Sequence, residues 1–325
     1  MGIAAANLLP LCLSLLAGFG LYRFNWRFLQ RHIDTVANAS MYILMMFMGI
    51  SIGQMEGFFD MVVRVGVTAL LIAIATSLGT MVVIWCVIYL PLRGMQQNGQ
   101  TSLSDMVREE SVKDAMPTLG LLHHIVAPLK MIGMVAIGFI LAWAHWLPKA
   151  SYEHAATGLL YVMTCAIGFQ LAMSNVRFKE LVANRRGLKI ALCVLVGTYL
   201  GAILVAPLLP LPFQGTVGAA SASASGFGWA SLSGILFTQL GQPVTGSIAF
   251  LTDMFREALA LLLIPLLSHR QRGRMAIGVC AATCMDVTLP VIERHNPDRR
   301  DVTAAFVSGS LLSFAVPFLI PLTVV

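Results

Sequence analysis

Residues Ser221–Pro265 read SASASGFGWASLSGILFTQLGQPVTGSIAFLTDMFREALALLLIP. The stretch opens with small residues and breaks at Gly226, Gly228 and Gly234. It turns near Gly241-Gln242-Pro243 and carries Asp253, Arg256 and Glu257 into an apolar run. Glycine and serine clusters inside a hydrophobic segment predict an interrupted helix. Non-helical backbone at membrane depth persists only where protein buries it or water lines it. Ionisable residues beside such a break mark a functional site, and broken helices with charged neighbours are the pattern of solute transport.

The rest of the chain agrees with a membrane setting. Of its 325 residues, 58% are hydrophobic and 11% charged, against about 25% charged in a soluble domain. Several apolar runs exceed the ~18–20 residues that cross a bilayer. The formal net charge of +6 does not indicate nucleic acid, because the basic residues sit in short clusters between apolar runs and form no stripe or motif. Cys12, Cys86, Cys165, Cys193, Cys280 and Cys284 all lie inside apolar runs, as packing cysteines do. Cys280 and Cys284 would share a helical face, but no histidine or second cysteine pair completes a metal set. No cofactor is expected. The basic residues Arg23, Arg27 and Arg31 follow the first apolar run rather than precede it, so that run reads as a retained span and not a signal peptide.

Eight spans are predicted, at 7–22, 36–55, 66–90, 128–147, 154–173, 188–206, 246–268 and 302–323. The second carries Gly49 and Gly53, with Gly57 just beyond, a four-residue spacing that permits close helix packing. Residues 91–127 form one sizeable polar segment of mixed charge, read as a cytoplasmic loop with a short surface helix. Lysine and arginine concentrate in the linkers after residues 23, 91 and 174 and in 269–274, which places those linkers in the cytoplasm and the N-terminus outside. Residue 207 is then outside and residue 269 inside. Three crossings between them would need about 60 residues without turns, so one crossing and one hairpin fit. Residues 215–241 are assigned as a re-entrant hairpin entering from outside. Residues 275–292 contain Asp286 and Pro290 and are assigned as a second hairpin from inside, which leaves the C-terminus outside. A full crossing by 275–292 would reverse that end. The expected fold is therefore an all-α integral membrane protein, a single transport domain with two opposed broken-helix hairpins. Opposed hairpins suggest an inverted repeat, although no internal sequence repeat is evident.

Several residues can carry chemistry. Asp253 and Glu257 are four apart and share a helical face, with Arg256 at its border. A self-neutralising Asp253–Arg256 pair would leave Glu257 in excess. Desolvation penalises the charged form of a carboxylate, so an excess carboxylate in a low-dielectric site can exchange a proton for a cation. Glu56, at the end of the second span, is either a solvated boundary residue or a second carboxylate facing Glu257 through a water-filled cavity. Asp286 either caps a half-helix or joins a cation site. Ser231 and Ser233 suit backbone or substrate hydrogen bonding, as do Thr283 and Thr288. Trp229 either lines the hairpin or packs on a ligand cation. An intramembrane serine enzyme needs a base beside its nucleophile. His145, His154 and His269 fall at span ends, and no lysine is deeply placed, so no enzyme is predicted. A cationic amino acid fits the carboxylates, with its own carboxylate at the positive end of a broken helix.

The segments SASGFGWASLSGILF (Ser223–Phe237), DMFREALALLLIP (Asp253–Pro265) and GVCAATCMDVTLPVI (Gly278–Ile292) resemble the LysO family of bacterial inner-membrane lysine exporters. FMGIS (Phe47–Ser51) and ANRRG (Ala183–Gly187) support the resemblance, which covers nearly the whole chain except 91–127. It implies L-lysine export driven by proton exchange, with two family acidic positions falling on Glu56 and Glu257. The first is often aspartate in the family and is glutamate here. A homodimer in the lipid bilayer is compatible with this reading. A cation–proton antiporter without an amino-acid pocket and a passive channel for basic solutes are the alternatives.

Overall fold

The computed structural model of the protein describes residues 10, 13–14, 16–22, 27–54, 58–90, 119–144, 153–173, 184–269, 272–296 and 298–323. Glu56, Cys12 and most of the 91–127 loop lie outside this set. Among the described residues the structure is helical and contains no strand. Four helical segments, at 31–53, 62–89, 185–208 and 299–323, are long and apolar enough to cross a membrane.

The long helices are α1 (Arg27–Gly53), α2 (Phe58–Ile84, continued by a wider π turn over Trp85–Tyr89), α3 (Leu119–Trp143), α4 (Glu153–Met173) and α5 (Arg185–Val205). They overshoot the predicted spans at their N-terminal ends. The apolar run sets only the buried part of a helix, and adjacent polar residues continue the backbone hydrogen bonds. Helix α3 thus begins inside the expected loop and takes in His123 and His124. At α5 the side chain of Asn184 accepts the Gly187 N–H at 3.0 Å and fixes the start.

Helix α1 packs against both α3 and α4, and α2 packs along α5. Gly49 and Gly53 seat α1 against α3, where a Cβ on Gly53 would lie 2.9 Å from Ala142 Cβ. Residues 16–22 lean on α4 through an edge-on contact of Tyr22 with Phe169.

The decisive stretch folds as α6 (Val217–Ala224), a turn, α7 (Ala230–Gln239) and the long α8 (Pro243–His269). Both short helices flank the first half of α8. Ala220 and Ala224 share a buried cluster with Ile248, and a Cβ on Gly234 would meet Phe250 at 2.8 Å. The chain therefore doubles back at 225–229. A second reversal follows, built from α9 (Gly273–Cys280), a 3-10 turn over Ala281–Met285, and α10 (Leu289–His295). Its ends lie side by side, since a Cβ on Gly273 would come within 2.5 Å of Asn296 Nδ2. Helix α11 (Arg299–Thr323) completes the described chain, and its Gly309 admits the Met285 N–H 2.5 Å from where a Cβ would sit. The two hairpins approach α8 from opposite ends and touch at their tips, where Ala282 N–H donates to Phe227 O at 3.0 Å.

Cys280 and Cys284 do not share a helical face. Helix α9 ends at Cys280, Ala281 turns to φ 53°, and the Cys284 thiol donates instead to Ile277 O at 3.0 Å.

Candidate functional site

The centre of α8 lies between the two hairpin tips, and its charges divide between them. At the first tip Phe227 (φ 50°) and Gly228 (φ 91°) are left-handed, which turns the chain just before α7. The turn aims two donors at Asp253: Gly228 N–H to Oδ1 at 2.7 Å and Ser233 Oγ–H to Oδ2 at 2.6 Å. Gly226 is required here because any Cβ would overlap the Asp253 carboxylate. Asp253 is 1% exposed. The carboxylate is thus satisfied by a backbone N–H of the turn just ahead of α7 and by a hydroxyl from the first turns of that helix.

Arg256 does the converse at the second tip. It is 1% exposed. Its Nε–H donates to Val279 O at 3.1 Å and Nη2 to Gly278 O at 3.5 Å, both carbonyls of the last turn of α9. Nη1 donates to Thr198 Oγ1 at 3.0 Å and Nη2 to Thr80 Oγ1 at 3.3 Å. The guanidinium thus meets the negative end of a half-helix and two hydroxyls. No Asp253–Arg256 ion pair forms: the ion pairs among the described residues join Arg186 and Arg274 to Asp298 and Asp301. Sequence spacing placed the two charges together, but they point to different hairpins because positions three apart on a helix sit about 60° apart around its axis.

Glu257 follows Arg256 and is 8% exposed. Among the described residues its carboxylate has no hydrogen-bond or ion-pair partner. Asp253 lies one turn before it on α8, and Asp286 stands on the second hairpin. Asp286 is exposed and accepts its neighbour Val287 N–H at 2.6 Å. It does not cap α10, whose N-cap is Thr288 with no side-chain cap bond. Thr283 and Thr288 are buried and bonded to each other at 3.3 Å, and Thr283 Oγ1 also donates to Cys280 O, so both fasten the second turn internally. Trp229 is half-buried at the N-cap of α7, and its backbone N–H donates to Gly226 O at 2.9 Å. Ser231 is buried in the first turn of α7, and its hydroxyl has no partner among the described residues.

A substrate carboxylate was expected at the positive end of a broken helix; at the turn that leads into α7 the structure places the Asp253 carboxylate. Thr80 and Thr198, which hold Arg256, were not anticipated. Lone hydroxyls in apolar spans were the available signal, but nothing local says which way they face. Among the described residues no group of three or more histidine, cysteine or acidic side chains is arranged to hold a metal.

A family model described as "Lysine exporter LysO" matches residues 12–104 and 132–324. "Lysine exporter LysO" of Escherichia coli K12 is 42% identical over 192 residues, which is 59% of this chain and 62% of that protein. A "Putative lysine exporter" of Haemophilus influenzae Rd is 33% identical over 193 residues, 58% of this chain and 93% of that protein. The aligned region thus spans less than two thirds of the length of the Escherichia coli relative. No solved structure matches the chain. With a family model covering well over half of the chain, both hairpins and every long helix except the first half of α3, the chain belongs to the lysine exporter LysO family.

Proposed function

We propose that this protein exports L-lysine across the bacterial inner membrane in exchange for protons, with Glu257 as the exchanging carboxylate. The observation that carries the reading is the contrast along α8. Asp253 and Arg256 are each satisfied by a hairpin tip, whereas Glu257 is buried with no partner among the described residues. A buried carboxylate without a partner is costly unless it gains a proton or a cation. A lysine ammonium and a proton would compete for that place, and competition at one site couples their movements in opposite directions.

Export of one net positive charge against an inside-negative potential costs ~2.3 kcal/mol per 100 mV. One-for-one exchange with a proton removes that cost. Asp253 and Arg256 would hold the two tips in register while the hairpins and the α1–α3–α4 group shift relative to each other. Glu56 would be the second acidic position, and Asp286, exposed on the second hairpin, an acidic group on the route of the cation.

The test is efflux of labelled lysine from proteoliposomes under an imposed pH gradient, wild type against Glu257→Gln. Gradient-driven efflux that the variant loses is expected. Absence of lysine movement in wild type, with proton-coupled flux of an inorganic cation, would replace this reading with a cation–proton antiporter. Efflux indifferent to both gradient and variant would make the protein a channel.

A further inference from the structure

The starts of three helices, α5, α9 and α11, converge at one end of the molecule. Arg274 Nε donates to both Asp301 oxygens at 3.0 and 3.2 Å, and Arg186 lies 3.5 Å from Asp301 and 3.7 Å from Asp298. The two aspartates therefore answer Arg186 and Arg274. Arg185 and Lys189, in the first two turns of α5, are exposed and make no ion pair among the described residues. Cations at a helix N-terminus oppose the macrodipole, so their placement does not serve the helix.

Their register gives them another use. Arg185, Lys189, Leu192, Val196, Leu200 and Ile203 follow at steps of four, three, four, four and three residues, so they form one stripe along α5. The four apolar members are each at least 44% exposed. The helix belongs to a segment, 185–208, long and apolar enough to cross a membrane. A basic pair thus stands at the boundary end of an exposed apolar track. Orientation by positive linkers needs cations somewhere in the linker; it does not need them in line with an exposed apolar stripe. A soluble anion would use the cations alone, whereas a phospholipid uses both parts.

We propose that α5 binds an anionic phospholipid, its phosphate held by Arg185 and Lys189 and one acyl chain lying along Leu192, Val196, Leu200 and Ile203. Each basic residue near an anionic lipid surface contributes about a fivefold gain in binding, so neutralising both should weaken retention roughly thirtyfold.

The experiment uses the full-length protein in detergent with dilauroyl phosphatidylglycerol, dilauroyl phosphatidylcholine or inorganic phosphate as probes. Readouts are native mass spectrometry for bound lipid and thermal unfolding for stabilisation. Wild type should retain and be stabilised by the phosphatidylglycerol far more than by either other probe. The double variant Arg185→Gln/Lys189→Gln should lose that preference, Arg31→Gln should keep it, and Arg185→Lys should keep most of it. The lipid-free unfolding temperatures of the variants report whether they are folded. Equal binding of the two lipids, equal stabilisation by inorganic phosphate, or an undiminished preference in the folded double variant would overturn the proposal. None of these readouts depends on lysine transport.

Discussion

Asp253 and Glu257 are one turn apart, yet the structure gives them different surroundings, and a pair of substitutions separates their roles. Asp253 accepts two short bonds, from Gly228 N–H at 2.7 Å and Ser233 Oγ–H at 2.6 Å. Hydrogen bonds to a charged group contribute about 1.5–3 kcal/mol each, roughly twice a neutral bond. Asp253→Asn keeps the shape. Its amide oxygen can accept from Gly228, and the Ser233 hydroxyl can rotate to accept from the amide nitrogen. Both contacts survive at neutral strength, so the expected loss is about 2 kcal/mol. Gly226→Ala pushes a methyl group into the carboxylate and breaks both bonds, for a loss of about 3–6 kcal/mol. Thermal unfolding in detergent and labelled-lysine efflux from the same preparations should therefore rank them. Asp253→Asn should unfold a few degrees early and retain gradient-driven efflux, reduced several-fold. Gly226→Ala should be poorly folded. Glu257→Gln should be as stable as wild type or more so, because it removes a buried charge, and should be inactive. A stable Asp253→Asn protein as inactive as Glu257→Gln would refute the division of labour and make Asp253 a coupling group.

Other expectations follow from the same contacts. Arg256→Met should cost about 1–3 kcal/mol, because it leaves the buried Val279 carbonyl without its donor while Thr198 and Thr80 keep their bond to each other, and should abolish efflux through loss of the second tip; a stable, active variant in an unfolding and transport assay would contradict this. Gly309→Ala should destabilise by about 1–3 kcal/mol, since its Cβ would meet three backbone atoms of the second turn at 2.5–3.0 Å, and unfolding measurements will check it. Asp301→Asn should cost about 1–3 kcal/mol by leaving the partly buried Arg274 without its carboxylate, and Arg274→Gln in the same background should recover part of the loss in a double-mutant cycle.

The sequence by itself determined the class, the long helices and the two interruptions. Those signals are local: apolar runs longer than a bilayer, glycine and serine inside an apolar run, and a proline and an aspartate in 275–292. It also singled out Asp253, Arg256 and Glu257, because charge in an apolar run is conspicuous wherever it points. Helix ends were less legible, since polar residues next to a span carry on its hydrogen bonds, as they do through His123 and His124. Only the tertiary structure decided the partners. Asp253 and Arg256 read as a pair on sequence spacing, but α8 presents one to the start of α7 and the other to the end of α9. Partner choice was fixed by hairpin tips that lie far along the chain from each other and meet at Phe227 and Ala282. The dipoles of half-helices are invisible in a residue list, because they arise from backbone groups that exist only once the helix stops. That is why the sequence offered a broken-helix end to a ligand, and the fold set Asp253 against the turn that leads into α7.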